Sequence, residues 1–126
     1  EKRRRIAKIY DENLKDLPDI IRPLNLKESL PAYNVYHQYT LRVTNGKREL
    51  LRNYLKGKNI ETMVYYPLPL HKMKVFDGRC EIFRELKNSE LICGEVLSLP
   101  LEPLMKEEEI LFVSKAIKDF FNINNK

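Results

Sequence analysis

The segment from Tyr65 to His71 reads YYPLPLH and gathers groups that could bind a polar ligand. Tyrosine hydroxyls donate and accept hydrogen bonds, and a histidine can also exchange a proton near neutral pH. The two prolines stiffen the backbone, so the segment has little entropy to lose when it orders a ligand. Two interpretations stay open: the segment is only a rigid exit from a strand, or Tyr65, Tyr66 or His71 contacts a substrate.

A second candidate pair, His37 and Tyr39, lies in YNVYHQYTLRV, residues 33–43, where alternating β-branched and aromatic residues predict a strand. The alternation places both side chains on the face of Leu41 and Val43, which is directed towards the core. This favours a buried, hydrogen-bonded histidine over a ligand contact, although a site role for the pair stays open.

The sequence lacks the motifs of a self-sufficient active site. It contains no H-E-x-x-H, paired C-x-x-C, glycine-rich phosphate loop or nucleophile elbow, and it has only four glycines and two histidines. We therefore predict no catalytic residue and no metal ligand in this chain.

Length and composition predict one domain over residues 1–126, because 43% hydrophobic and 33% charged residues are typical of a soluble globular chain. No apolar run approaches the roughly 18 residues of a membrane span. Cys80 and Cys93 form no C-x-x-C, so a reducing compartment is favoured over secretion. Cys93, within an apolar helical stretch, is predicted to be a buried small hydrophobe.

Much of the net charge of +5 lies in the run Lys2 to Arg5. Without those four residues the net charge would be about +1, so the rest of the chain is nearly neutral. A short basic run is typical of a solvated helix end, and no RNA-binding signature or zinc-finger spacing accompanies it. Nucleic acid is therefore disfavoured as a partner.

Periodicity predicts the elements that must position the candidate residues. A first helix ends near Leu14, TNGK forms a turn, a second helix ends at a Gly57 cap, and residues 60–66 form a strand. A broken helix over residues 79–97, restarted by Asn88 or Ser89, precedes an extended segment and a last helix from about Lys106. These elements predict an α+β domain, a small sheet packed against helices on one face.

An apolar stripe at helical spacing supports the prediction of each of the first, second and last helices. The predicted buried residues are Ile6, Tyr10 and Leu14 in the first, Leu50, Leu51, Tyr54 and Leu55 in the second, and Ile110, Val113, Ile117, Phe120 and Phe121 in the last. The chain opens within the first helix and no capping residue precedes it, so we expect it to be a piece of a longer protein.

The order of these segments over residues 2–121 resembles the C-terminal part of the DegT/DnrJ/StrS family of sugar aminotransferases. The markers are His37-x-Tyr39, Tyr66-Pro67-x-Pro69-x-His71, and Leu97-Ser98-Leu99-Pro100 before a glutamate-rich helix start. Members are pyridoxal-phosphate (PLP) enzymes of fold type I, the aspartate-aminotransferase fold, and the resemblance implies the small domain of that fold.

The resemblance also implies that the Schiff-base lysine and the phosphate-binding residues belong to a large N-terminal domain absent from this chain. The chain alone is then expected to bind no PLP and to be inactive. In such enzymes the small domain supplies part of the wall that positions the sugar. The implied substrate-binding residues are Tyr65, Tyr66, His71, His37 and Tyr39. Tyr65 stands where the family often has histidine, which puts a proton-transfer role at that position in doubt.

Further implications of the resemblance concern the parent enzyme. It would move an amino group, usually from glutamate, onto a keto-sugar nucleotide, and it would be a cytoplasmic homodimer with its active site at the subunit boundary. Two alternatives stay open: a non-enzymatic interaction module that binds a partner through residues 65–71, and nucleic-acid binding through the basic N-terminal arm.

Overall fold

The computed structural model describes residues 1–23, 34–79 and 81–124, with the backbone alone at residues 123 and 124. Its helices are α1 (Lys2–Leu14), α2 (Arg48–Gly57), α3 (Lys87–Glu95) and α4 (Glu107–Asn124), and its strands are β1 (Ile20–Ile21), β2 (Tyr39–Val43) and β3 (Val96–Leu99). Two short 3₁₀ turns, Leu70–Lys72 and Lys74–Phe76, follow the proline segment.

The strands form one antiparallel sheet in the order β1-β2-β3. In the register, Ile20 lies opposite Val43, and Leu41 lies opposite Leu97. The helices α1 and α2 both pack against α4, and their apolar stripes meet the sheet in one core. This arrangement confirms the predicted α+β class, a small sheet packed against helices.

The core is built from the predicted stripes of α1 and α4, whose members are all buried. From the sheet, Tyr39, Leu41 and Val43 enter the same core. The second helix departs from its prediction at one position, since Leu51 and Leu55 are buried but Leu50 is 61% exposed. Tyr54 is half-buried against Phe120, with ring centroids 5.4 Å apart.

The predicted strand over residues 33–43 is shortened to Tyr39–Val43, and His37 does not enter the core. The side chain of Asn34 accepts a hydrogen bond from the backbone N–H of Tyr36 at 2.8 Å, and Tyr36 adopts a φ of 50°. An Asn that bonds the backbone two residues on forms a local turn instead of a strand. The turn buries Tyr36 and leaves His37 exposed, so the prediction of a buried histidine was wrong. Tyr33 lies outside the described residues.

The predicted strand over residues 60–66 is reduced to a single bridge between Met63 and Ser98 on the free edge of β3. The predicted helix over residues 79–97 begins only at Lys87 and ends at Glu95, without a side-chain cap from Asn88 or Ser89. Cys93 is partly exposed rather than buried, and Cys80 lies outside the described residues. Across the described ranges, no helix is both long and apolar enough to cross a membrane.

Candidate functional site

An open groove of about 840 Å³ lies between the proline segment, its two 3₁₀ turns and α3. The side chains that line it are mainly apolar, and several of these hydrophobic side chains are strongly exposed to solvent. Residues that characterise the groove are Tyr66, Leu70, His71, Phe76, Phe83 and Ile92. A concave, mostly apolar surface with few polar groups is the usual form of a small-molecule site.

His71 is a polar side chain of this groove that is held by a hydrogen bond to another helix. Its side chain is only 12% exposed, and its Nε2 atom lies 3.0 Å from Oε1 of Glu90 in α3. The second oxygen of Glu90 accepts a hydrogen bond from Nζ of Lys72 at 2.6 Å. The bonds from Lys72 and then from His71 lower the pKa of Glu90, so this carboxyl is ionised at neutral pH.

A second, smaller cavity of about 270 Å³ lies beside the free edge of β3 and holds two other candidates, His37 and Tyr65. Glu61 and Thr62 also line it. Four of the five predicted site residues therefore divide into two groups, Tyr66 with His71 in the large groove and Tyr65 with His37 in the smaller cavity. The peptide bond between Tyr65 and Tyr66, which is cis, connects the two.

The fifth candidate, Tyr39, belongs to the core and lines neither of these cavities. It is fully buried, its hydroxyl donates to Oδ1 of Asp11 at 2.7 Å, and its ring lies 4.9 Å from that of Tyr10. Burial and the bond to Asp11 raise the pKa of Tyr39, so its hydroxyl stays protonated. In this structure Tyr39 is a structural residue.

The groove can offer hydrogen bonds in an apolar setting rather than a complete set of reacting groups. Tyr66 is 66% exposed, so its hydroxyl can reach a ligand, and His71 provides a fixed imidazole beside it. Within the part of the chain that the structure describes, no group of three or more histidine, cysteine, aspartate or glutamate residues could hold a metal ion.

Sequence reasoning missed Glu90. This residue follows His71 by 19 positions in a region that the sequence predicts only as a broken helix, and no local spacing links the two. The one available signal is the position of Glu90 in the first turn of α3, where a carboxylate is favoured by the positive end of the helix.

Comparisons with known proteins place these features in a family. The profile of the DegT/DnrJ/EryC1/StrS aminotransferase family matches residues 1–118. A protein of Geobacillus stearothermophilus called pleiotropic regulatory protein is 39% identical over 122 residues, which cover 96% of this chain and 32% of that protein.

Two further relatives add to this comparison. One has a name that states an activity, and the other has a solved crystal structure. The dTDP-3-amino-3,6-dideoxy-alpha-D-galactopyranose transaminase of Aneurinibacillus thermoaerophilus is 36% identical, over 95% of this chain and 31% of that enzyme. The crystal structure of DesV from S. venezuelae superposes with a TM-score of 0.82 at 29% identity, over 94% of this chain and 31% of DesV.

This chain therefore spans about a third of the length of the relatives that it matches, and it corresponds to their C-terminal part. The match covers the strand that contains Tyr39, the groove with Tyr66 and His71, and most of α4. The chain belongs to the DegT/DnrJ/EryC1/StrS aminotransferase family.

Proposed function

We propose that this chain is the C-terminal domain of a PLP-dependent enzyme that transfers an amino group, from glutamate, to a keto-sugar nucleotide. The observation that carries the proposal is the family match over residues 1–118, together with relatives whose names state transamination of a dTDP-linked amino sugar. The amino-sugar nucleotides that such an enzyme makes would be used in the biosynthesis of surface polysaccharides or of deoxy-amino sugars. The parent would be a cytoplasmic homodimer, in keeping with the resemblance on which the proposal draws.

The groove would form part of the wall that positions the sugar nucleotide. Tyr66 and His71 supply hydrogen bonds, while apolar neighbours such as Phe76 and Phe83 exclude water from the bound ligand. Holding a reactant in one orientation lowers the entropy that must be lost in the reaction step. The contribution of these side chains is therefore binding and orientation.

The groove does not by itself fit the cofactor. Among the described residues that line it there is no lysine, and Arg84 is the only permanently charged cation. PLP, when bound, supplies an electron sink and requires a lysine for its Schiff base. We therefore assign PLP to the N-terminal part of the parent.

The proposal is tested in the full-length parent with Tyr66→Phe and His71→Ala. We expect each variant to retain PLP, measured by its absorbance, and to raise KM for the sugar nucleotide or to lower kcat, because a positioning contact is lost. Substrates would be a panel of dTDP- and UDP-linked keto sugars with glutamate as donor.

The matched control is His37→Ala, which removes an exposed histidine from the smaller cavity. Unchanged kinetics for both groove variants would show that the groove is only structural. A loss confined to His37→Ala would transfer the sugar site to the smaller cavity. A parent that aminates none of the sugars would contradict the proposed reaction.

A regulatory role is the second candidate, because the relative that is 39% identical carries the name of a regulatory protein. In that case the exposed groove would receive a protein partner instead of a sugar nucleotide. A parent that lacks PLP and aminotransferase activity would favour this role.

A further inference from the structure

Glu90 lies behind His71 rather than in the groove. It is not among the described residues that line the groove, whereas its neighbours in α3, Ser89 and Ile92, are. Both of its carboxylate oxygens are used, Oε1 by Nε2 of His71 at 3.0 Å and Oε2 by Nζ of Lys72 at 2.6 Å. The carboxylate thus joins α3 to the 3₁₀ turn that carries His71.

The chemistry of this contact defines the protonation of the ring. An ionised carboxylate accepts hydrogen bonds and cannot donate them, so Nε2 of His71 must carry the proton that lies between them. In the neutral imidazole the other nitrogen, Nδ1, then bears the free lone pair. A neutral His71 held in this way can only accept a hydrogen bond from a ligand at Nδ1.

We propose that Glu90 is a positioning residue that holds His71 in one orientation and one tautomer, so that His71 accepts a hydrogen bond from a hydroxyl group of the sugar nucleotide. The identity of the ligand in this inference, a sugar nucleotide, rests on the proposed function. The geometry rests only on this chain, because the residues involved, Glu90, His71 and Lys72, are all present in it.

A purely structural role makes a different prediction. If Glu90 only ties α3 to the 3₁₀ turn, its bond to Lys72 should matter as much as its bond to His71, since Lys72 lies in the same turn. Lys72→Met is therefore a matched control that removes one partner of Glu90 and leaves the other in place.

The first experiment uses the 126-residue chain. Long-range ¹H–¹⁵N NMR spectra of the two histidines, assigned with His37→Gln, are recorded at about pH 8, where an ordinary histidine is neutral. We expect the ¹⁵N shifts of His71 to report a ring protonated at Nε2, with the Nδ1-protonated tautomer nearly absent. Glu90→Ala should mix the two tautomers and so change this signal, whereas Lys72→Met should keep it. A proton on Nδ1, or a signal unaffected by Glu90→Ala, would overturn the inference.

The second experiment is a double-mutant cycle in the full-length parent. Glu90→Ala should lower kcat/KM by about 10- to 100-fold, the range expected when a contact group is misplaced. The same substitution should cause no further loss in a His71→Ala background, because Glu90 acts through His71. Glu90→Gln, whose amide oxygen still accepts from Nε2, should retain more activity than Glu90→Ala.

Two outcomes separate the inference from the function on which it rests. An active parent in which the effects of Glu90→Ala and His71→Ala multiply, or in which Lys72→Met costs as much as Glu90→Ala, overturns the positioning role alone. A parent without activity on any sugar nucleotide overturns the proposed function, and with it the assigned ligand of His71.

Discussion

The Tyr39 hydroxyl shows how a polar group can belong to the core of this domain. It lies against the α1 helix, where Asp11 accepts its hydrogen bond. Arg22, whose guanidinium lies 3.6 Å from the same carboxylate oxygen, balances the charge of Asp11. A buried polar group is tolerated when its partners are present, and here they link β2, α1 and the segment after β1.

Replacing Tyr39 with Phe should therefore destabilise the domain without disturbing its shape. The variant leaves Asp11 without its buried donor, and we expect a loss of about 1–3 kcal/mol in the free energy of unfolding. Urea denaturation would measure it. As a control, Tyr54→Phe keeps a ring that packs on Phe120 and should have a smaller effect. Equal losses in both variants would contradict the role assigned to the Tyr39–Asp11 bond.

At single positions, the sequence predicts burial well wherever alternation continues without interruption. Tyr39, Leu41 and Val43 are buried as alternation requires. The prediction of burial fails at His37 because the local turn from Asn34 to Tyr36 interrupts the alternation immediately before it. An asparagine, whose side chain can bond the backbone two residues on, is a turn signal, but the β propensity of the whole segment conceals it.

Among the elements, the end of α2 shows how a cap can be assigned to the wrong residue. Gly57 remains helical, and Asn59 instead takes the left-handed conformation with φ 58°. The backbone N–H of Ile60 donates to Leu55 O, and that of Asn59 donates to Lys56 O. This pair of bonds is a Schellman motif, and its flanking residues Leu55 and Ile60 are both buried in the core.

Substitution of Asn59 tests this cap. Asn59→Ala should destabilise the domain by about 1 kcal/mol, because a side chain with Cβ and no polar group is strained at positive φ. Asn59→Gly should not cause this strain, because glycine has no Cβ and adopts a positive φ readily. Asn53→Ala, at an exposed position of the same helix, provides the control, and thermal unfolding supplies the measurement. A loss in Asn59→Gly equal to that in Asn59→Ala would refute the conformational explanation.

Long elements with a clear period were predictable, and short elements that depend on distant partners were not. The α1 and α4 stripes identify their helices because a dozen or more residues share one period. The segment over residues 60–66 has the composition of a strand, but it meets β3 only at Met63, and the prolines that follow turn it away. Its pairing depends on where β3 lies.

Across the whole molecule, Asp19 connects parts of the chain that are distant in sequence. Its carboxylate accepts hydrogen bonds from Lys47 at 2.6 Å and from Asn45 at 2.7 Å, in the turn after β2. The Lys47 ammonium in turn lies 5.6 Å from the ring centre of Phe121 in α4. The bonds from Lys47 and then Asn45 lower the pKa of Asp19 below its ordinary value.

Because the pKa of Asp19 is lowered in the folded state, the contribution of Asp19 to the free energy of unfolding depends on pH. The folded chain holds Asp19 ionised more readily than the unfolded chain, so its stabilisation is present above the ordinary pKa of about 4 and is lost as pH falls through the folded pKa. Asp19→Asn should therefore reduce stability at pH 7 by about 1–2 kcal/mol. Denaturant titrations at several pH values should show the difference shrinking below about pH 4. A difference that does not change with pH would contradict this assignment.

The candidate site shows the same division between local and distant information. The proline spacing and the residue types indicated Tyr65, Tyr66 and His71 as candidates, and two of these, Tyr66 and His71, line the groove. Glu90 completes the arrangement from α3, a helix that the sequence places only as the restart of a broken helical stretch and does not connect to His71. A sequence pattern can therefore indicate the groups that could meet a ligand, whereas the group that orients them is found only when the chain is folded.

The small size of the sheet has a consequence for how copies of this domain meet. A free strand edge can recruit another chain through its unpaired backbone groups. Here the outermost strand β1 contributes only two residues, and Met63 already occupies part of the outer side of β3. In the described ranges the sheet therefore offers little template for fibre-like growth, and association would rely on side-chain surfaces.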